Sequence, residues 1–143
     1  MMDAKNRPTL VQSDNATVKL PKKQDVITAF EAIQYQRDKL GAIVNWYNQL
    51  EDDGILILAS GGGWTRRIYE NGKDEGLFEE FCEQLRKAGI EVVVDRETVV
   101  IRRKPGTKLD LLAIRRPSPP AHGGYINSLY EIPGPGLSVR VSN

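Results

Sequence analysis

Residues 55–67 read ILILASGGGWTRR, a run of aliphatic residues broken by three glycines, a tryptophan and two arginines. Glycines behind a buried strand admit two readings. One is a cradle for a phosphate or similar group, which needs the glycines at a helix N-terminus so that free N–H groups converge on the ligand. The other is a loop by which the chain leaves a sheet. After Gly63 comes WTRRIYENGKDEG, which holds its own turn signals, and a helical pattern resumes only near Leu77. No helix starts at the glycines, so they read as a loop that follows a strand.

The elements on either side follow from periodicity. Ile55 to Ala59 is apolar on both faces, which predicts a central parallel strand. Upstream, DVITAF (Asp25 to Phe30) is short, apolar and β-branched and reads as a buried strand. Leu40, Ile43, Val44, Tyr47 and Leu50 recur at three and four residues and predict one helix face, begun by Asp38 and stopped by EDDG at 51–54. Downstream, Phe78, Phe81, Cys82 and Leu85 form a second helical stripe with Gly89 as its stop. Strands are then expected at IEVVVD, TVVIRR and LDLLAIRR, with no helix between them, so antiparallel pairing is expected there. Strand, helix, strand, helix, strand predicts an α/β fold with a parallel sheet. Residues 1–116 are expected to form that domain. Residues 117–143, with five of the eight prolines, are expected to be a tail.

Composition narrows the class of protein. The chain has 143 residues, 40% of them hydrophobic and 27% charged, the make-up of one ordinary globular domain. No apolar run nears the roughly 18 residues that span a bilayer, and the first ten residues hold no secretory signal. The single cysteine, Cys82, allows no internal disulfide and fits the reducing cytoplasm. Its place inside an apolar stripe reads as core, not as a nucleophile. The net charge of +1 hides a basic stretch in which Arg96, Arg102, Arg103, Lys104, Lys108, Arg115 and Arg116 face only Glu97 and Asp110. Solvated faces explain it. A nucleic-acid contact is the alternative, although no aromatic is interleaved as a stacking platform would want. His122 stands alone and Cys and His do not cluster, so neither a Ser/His/Asp device nor a zinc site is expected.

The order of these segments resembles the later part of a class I S-adenosylmethionine-dependent methyltransferase. In that family a strand ending near D…LP is followed by DVI, a helix, L…GGILIL, a helix ending in G, and a closing antiparallel hairpin. Here the run from Pro8 through LPKKQDVITAFEAIQYQRDKLGAIVNWYNQLEDDGILIL, continued by FCEQLRKAGIEVVVD to Arg103, follows it. The resemblance implies a three-layer Rossmann-like α/β sheet, truncated at its N-terminal side, with a C-terminal antiparallel hairpin. It starts at the family's third strand. The family's glycine-rich first turn and the acidic residue that holds the ribose hydroxyls have no counterpart before Pro8.

The resemblance also implies roles for residues. Asp14 falls where the family's acidic residue meets the adenine amino group, and reads equally as a plain turn residue. Ala29 and Phe30 fall where the methionine end of the cofactor passes the sheet, although Phe30 alone reads more readily as a core aromatic. Glu31 and Tyr35 follow in the region flanking the transferred methyl. The glycine loop becomes the one after the fifth strand, on the substrate side of the cleft, so Gly62, Gly63, Trp64 and Arg66 are expected to face substrate or to be a solvated loop. The resemblance singles out no particular residue as catalytic, and no metal ligand is expected. The implied chemistry is in-line transfer of a methyl from the sulfonium of S-adenosylmethionine to a nucleophile, which depends mainly on positioning. Two functions are expected: a methyltransferase-like protein whose cofactor site is incomplete, or a non-catalytic interaction module on the same remnant fold. A sheet without its first strands exposes an edge, so a homo-oligomer or a partner chain covering that edge is expected.

Overall fold

The computed structural model describes residues 13, 15–30, 39–59, 77–112, 114–115, 130–131 and 138–143. It is a mixed α/β structure. Its elements run β1 (Gln24–Phe30), α1 (Lys39–Asn48), β2 (Leu50–Ala59), α2 (Leu77–Lys87), β3 (Glu91–Asp95), β4 (Thr98–Arg102), β5 (Lys108–Leu112), β6 (Ile114–Arg115), β7 (Tyr130–Glu131) and β8 (Ser138–Ser142).

Four strands form one sheet in the order β1-β2-β4-β3. β1 and β2 are parallel, while β4 runs antiparallel to both β2 and β3. The expected hairpin is therefore present, and β4 inserts between β2 and β3. β2 is central as expected, but it has one parallel and one antiparallel neighbour. β1 differs from the sequence reading. It is an edge strand, and Val26 and Phe30 remain 50% and 61% exposed because nothing described packs on that side.

Registers divide the sheet into two unlike faces. On one, Ala29, Leu56, Leu58, Val92, Val99 and Ile101 are buried beneath the helices. This side contains the core, with Leu40, Ile43 and Tyr47 of α1 and Phe78, Phe81, Cys82 and Leu85 of α2. The α2 stripe is thus buried, as its spacing predicts. α1 is more enclosed than its stripe suggests: Lys39 to Val44, Trp46 and Tyr47 are all buried. The reason is a second sheet, in which β5 pairs with β8 and packs on α1 and α2 from outside. Leu109 and Leu111 point inward from β5, and Val139 and Val141 from β8 add to the same cluster.

Local chemistry sets the element ends. α2 places Glu79 and Glu80 in its first turn and Arg86 and Lys87 in its last, matching the helix dipole. It closes in a Schellman motif: Gly89 N–H donates to the carbonyl of Arg86, Ile90 N–H to that of Leu85, and Gly89 sits at φ 85°. α1 ends earlier than the periodicity suggests, since Leu50 is already strand. The residues read as a stop, 51–54, form a bulge within β2, where the register jumps from Gln24↔Leu50 to Val26↔Ile55. Gly54 is required there, because a Cβ would lie 2.9 Å from the carbonyl oxygen of Glu51.

Polar side chains fasten α1 to its neighbours. Asn48 donates to the carbonyl of Leu109 and accepts from its N–H, so the amide acts as one more strand residue beside β5. Asn45 and Gln49 donate to the carbonyl of Val18. Arg103 is buried, and its guanidinium donates to the carbonyls of Thr107, Asn48 and Leu50 while lying 5.7 Å from the centre of the Tyr47 ring. The Tyr47 hydroxyl in turn shares a 2.7 Å hydrogen bond with Thr107 and accepts from Lys104 N–H. A cation against the last carbonyls of α1 is favoured by the helix dipole. This cluster joins the end of α1, the start of β2 and the turn before β5.

Candidate functional site at the carboxyl edge of the sheet

β1, β2 and β3 all run in one direction, so their carboxyl ends share one edge of the sheet. Register places Phe30, Ala59, Thr98 and Asp95 side by side across the four strands there, all on the face without helices. In open α/β sheets ligands bind outside the carboxyl ends of parallel strands. The chain leaves β1 at Phe30 and β2 at Ala59, which are register partners, so both departures occur at the same point of this edge.

Of the cofactor residues implied by the resemblance, the structure describes two. Phe30 is at the edge with its ring largely exposed. Ala29 is 5% exposed, with its side chain among the core residues below the helices, so only its backbone faces the edge. Asp14, Tyr35, Gly62, Gly63, Trp64 and Arg66 lie outside the described residues, as do Glu31 and the glycine loop as a whole. Sequence reasoning misses Asp95 and Thr98. Their signal is nonetheless present, since a two-residue turn after IEVVVD returns the chain beside its parallel neighbours.

Among the described residues no group of three or more His, Cys, Asp and Glu side chains could hold a metal ion. Cys82 is no nucleophile: burial, the main cause, pushes its thiol up to about 12, with Arg86 pulling it back and Glu83 and Glu79 adding to the rise. The described hollows lie at the opposite edge. One of about 450 Å³ is lined by Lys22, Lys23, Gln24, Asp25, Glu51 and Asp52, and a second of about 180 Å³ lies between Asp53, Glu91, Arg102 and Lys104. Both are at the amino ends of the parallel strands, away from the edge at which α/β sheets bind ligands, so their size does not make them the better site. The basic stretch is dispersed by the fold. Arg103 is buried, Arg102 pairs with Glu91 at 3.1 Å, and Lys104 donates to the carbonyl of Ala88 at the end of α2.

No protein-family model and no curated protein matches the chain. No helix among the described residues is long and apolar enough to cross a membrane.

Proposed function

We propose that the chain is a methyltransferase-like module of Rossmann-like architecture, related to S-adenosylmethionine-dependent enzymes, whose cofactor site is incomplete within these residues. One observation carries the reading. The parallel pair β1–β2 ends side by side at one edge and continues into a closing antiparallel hairpin, as the sequence resemblance implies.

The described residues fit the cofactor only in part. Phe30 offers an aromatic face for an apolar or adenine surface. The nearest described carboxylate on the same row, Asp95, stands three strand spacings away, about 14 Å. An acidic ribose contact and a glycine turn at a helix N-terminus are not among the described residues. No chemical step is therefore assigned to a side chain.

Calorimetric titration with S-adenosylmethionine and its demethylated product tests the reading. Losing the charge-assisted ribose contact and the helix-end electrostatics should each remove about 1.5–3 kcal/mol, so binding should be weaker than in a complete site by about 10²–10⁴-fold. Micromolar binding abolished by Asp14→Ala would overturn the incomplete site and favour an active enzyme. The second reading, an interaction module, is favoured by the sheet face that neither described helix covers and by β1, which has one strand neighbour among the described residues. It predicts a stable complex and no cofactor binding at any concentration.

A further inference from the structure

Among the described residues β1 is an end strand, flanked only by β2. An unpaired strand edge is a template for another chain unless charge, proline, a central bulge or a cover blocks it. β1 has little such protection. From Val26 to Phe30 it holds neither a charge nor a proline, and its register irregularity falls at its start, between Gln24 and Val26. Val26, Thr28 and Phe30 are exposed on the face without helices.

We propose that two copies of the chain pair through β1, antiparallel about a two-fold axis at Ile27, joining two four-stranded sheets into one of eight strands. A two-fold contact sets the strand against itself, and residues directly opposite must share a face, so only a few registers are open. An axis at Asp25 would oppose two Asp25 carboxylates. An axis at Ile27, the midpoint of the strand, pairs all seven residues: Gln24 with Phe30, Asp25 with Ala29, Val26 with Thr28, and Ile27 with itself. The single carboxylate of β1 then meets an uncharged partner, and no like charges face each other. β1 is electrically compatible with its own copy in the register that uses its full length. The pairing depends on the placement of β1 and not on the cofactor reading, so either can fail alone.

Sedimentation of the full chain over a concentration series tests the pairing. One strand pair is a small interface, so a concentration-dependent passage from monomer to dimer is expected. V26K/T28K sets like charges opposite each other twice and should weaken the dimer by about tenfold or more. V26K/T28E sets opposite charges in the same places and should keep it. Val93→Lys, on the bare face but three strands away, should leave it unchanged. A monomer at every concentration, or a dimer that survives V26K/T28K, would overturn the pairing. Dissociation by V26K/T28E would overturn the register, and dissociation by Val93→Lys would move the contact from the edge to the bare face.

Discussion

The two faces of the four-stranded sheet are built from nearly the same side chains and differ in cover, most clearly away from the β3 edge, where Val94 on the helix-facing side is itself 45% exposed. In β3, Val92 is 7% exposed and its neighbour Val93 is 51% exposed. In β4, Val99 and Ile101 are fully buried, whereas Val100 between them is only half-buried. The amino acids do not differ, so what differs is cover. One face meets α1 and α2, themselves backed by β5 and β8; neither described helix covers the other. Burial of apolar surface stabilises by roughly 25 cal/mol per Å², so the same valine contributes very differently on the two faces.

The largest effect that could break this comparison is on the covered side. Leu85 is fully buried between α2 and the sheet. Leu85→Ala should cost about 2–5 kcal/mol in a denaturant titration, through lost transfer energy and a cavity. A loss below about 1 kcal/mol would show that the helix layer is not packed as described.

A smaller effect sharpens the same point through pH. The Cys82 thiol, ordinarily near 9.0, is raised to about 12 by burial in the α2 stripe. The unfolded thiol releases its proton from about pH 9, while the folded one keeps it. Stability that is fully present below pH 9 is therefore lost as pH rises toward 12, by about 1.4 kcal/mol per pH unit. Urea titrations at pH 8 and pH 10 should differ by about that amount more in the native chain than in Cys82→Ala. Equal differences in the two proteins would mean that the thiol is not buried when folded. The smallest effect belongs to the bare face, where Val93→Ala should cost under about 1 kcal/mol. A cost above about 2 kcal/mol would show that this face is covered in solution, and the comparison between the faces would collapse.

Part of the site is legible in the amino-acid sequence. DVITAF alone places Phe30 at a strand end, and Phe30 is at the carboxyl edge. The α2 stripe marks Cys82 as core, and Cys82 is buried. The polar cluster around Arg103 leaves no such trace, since in VVIRRK the two arginines look alike. Only the partners decide that Arg102 faces solvent beside Glu91 and that Arg103 turns inward to three backbone carbonyls. The strand β8 lies in the proline-rich stretch that reads as a tail. The alternation of SVRVS is visible there, but five residues of period two do not name the strand they will pair with.

By itself the sequence determined what is local: the two helix stripes, the strands IEVVVD and TVVIRR with their hairpin, and the glycine that ends α2. Period, turn residues and caps act over a few neighbours, and those are present in the string. The tertiary structure alone decided that β4 enters between β2 and β3, that β5 leaves the main sheet to pair with β8, and that β1 lies at an edge with one face bare. Those outcomes depend on contacts between residues dozens of positions apart. Each apolar strand could pair with several others, and the choice is made by which arrangement buries the helices on both sides.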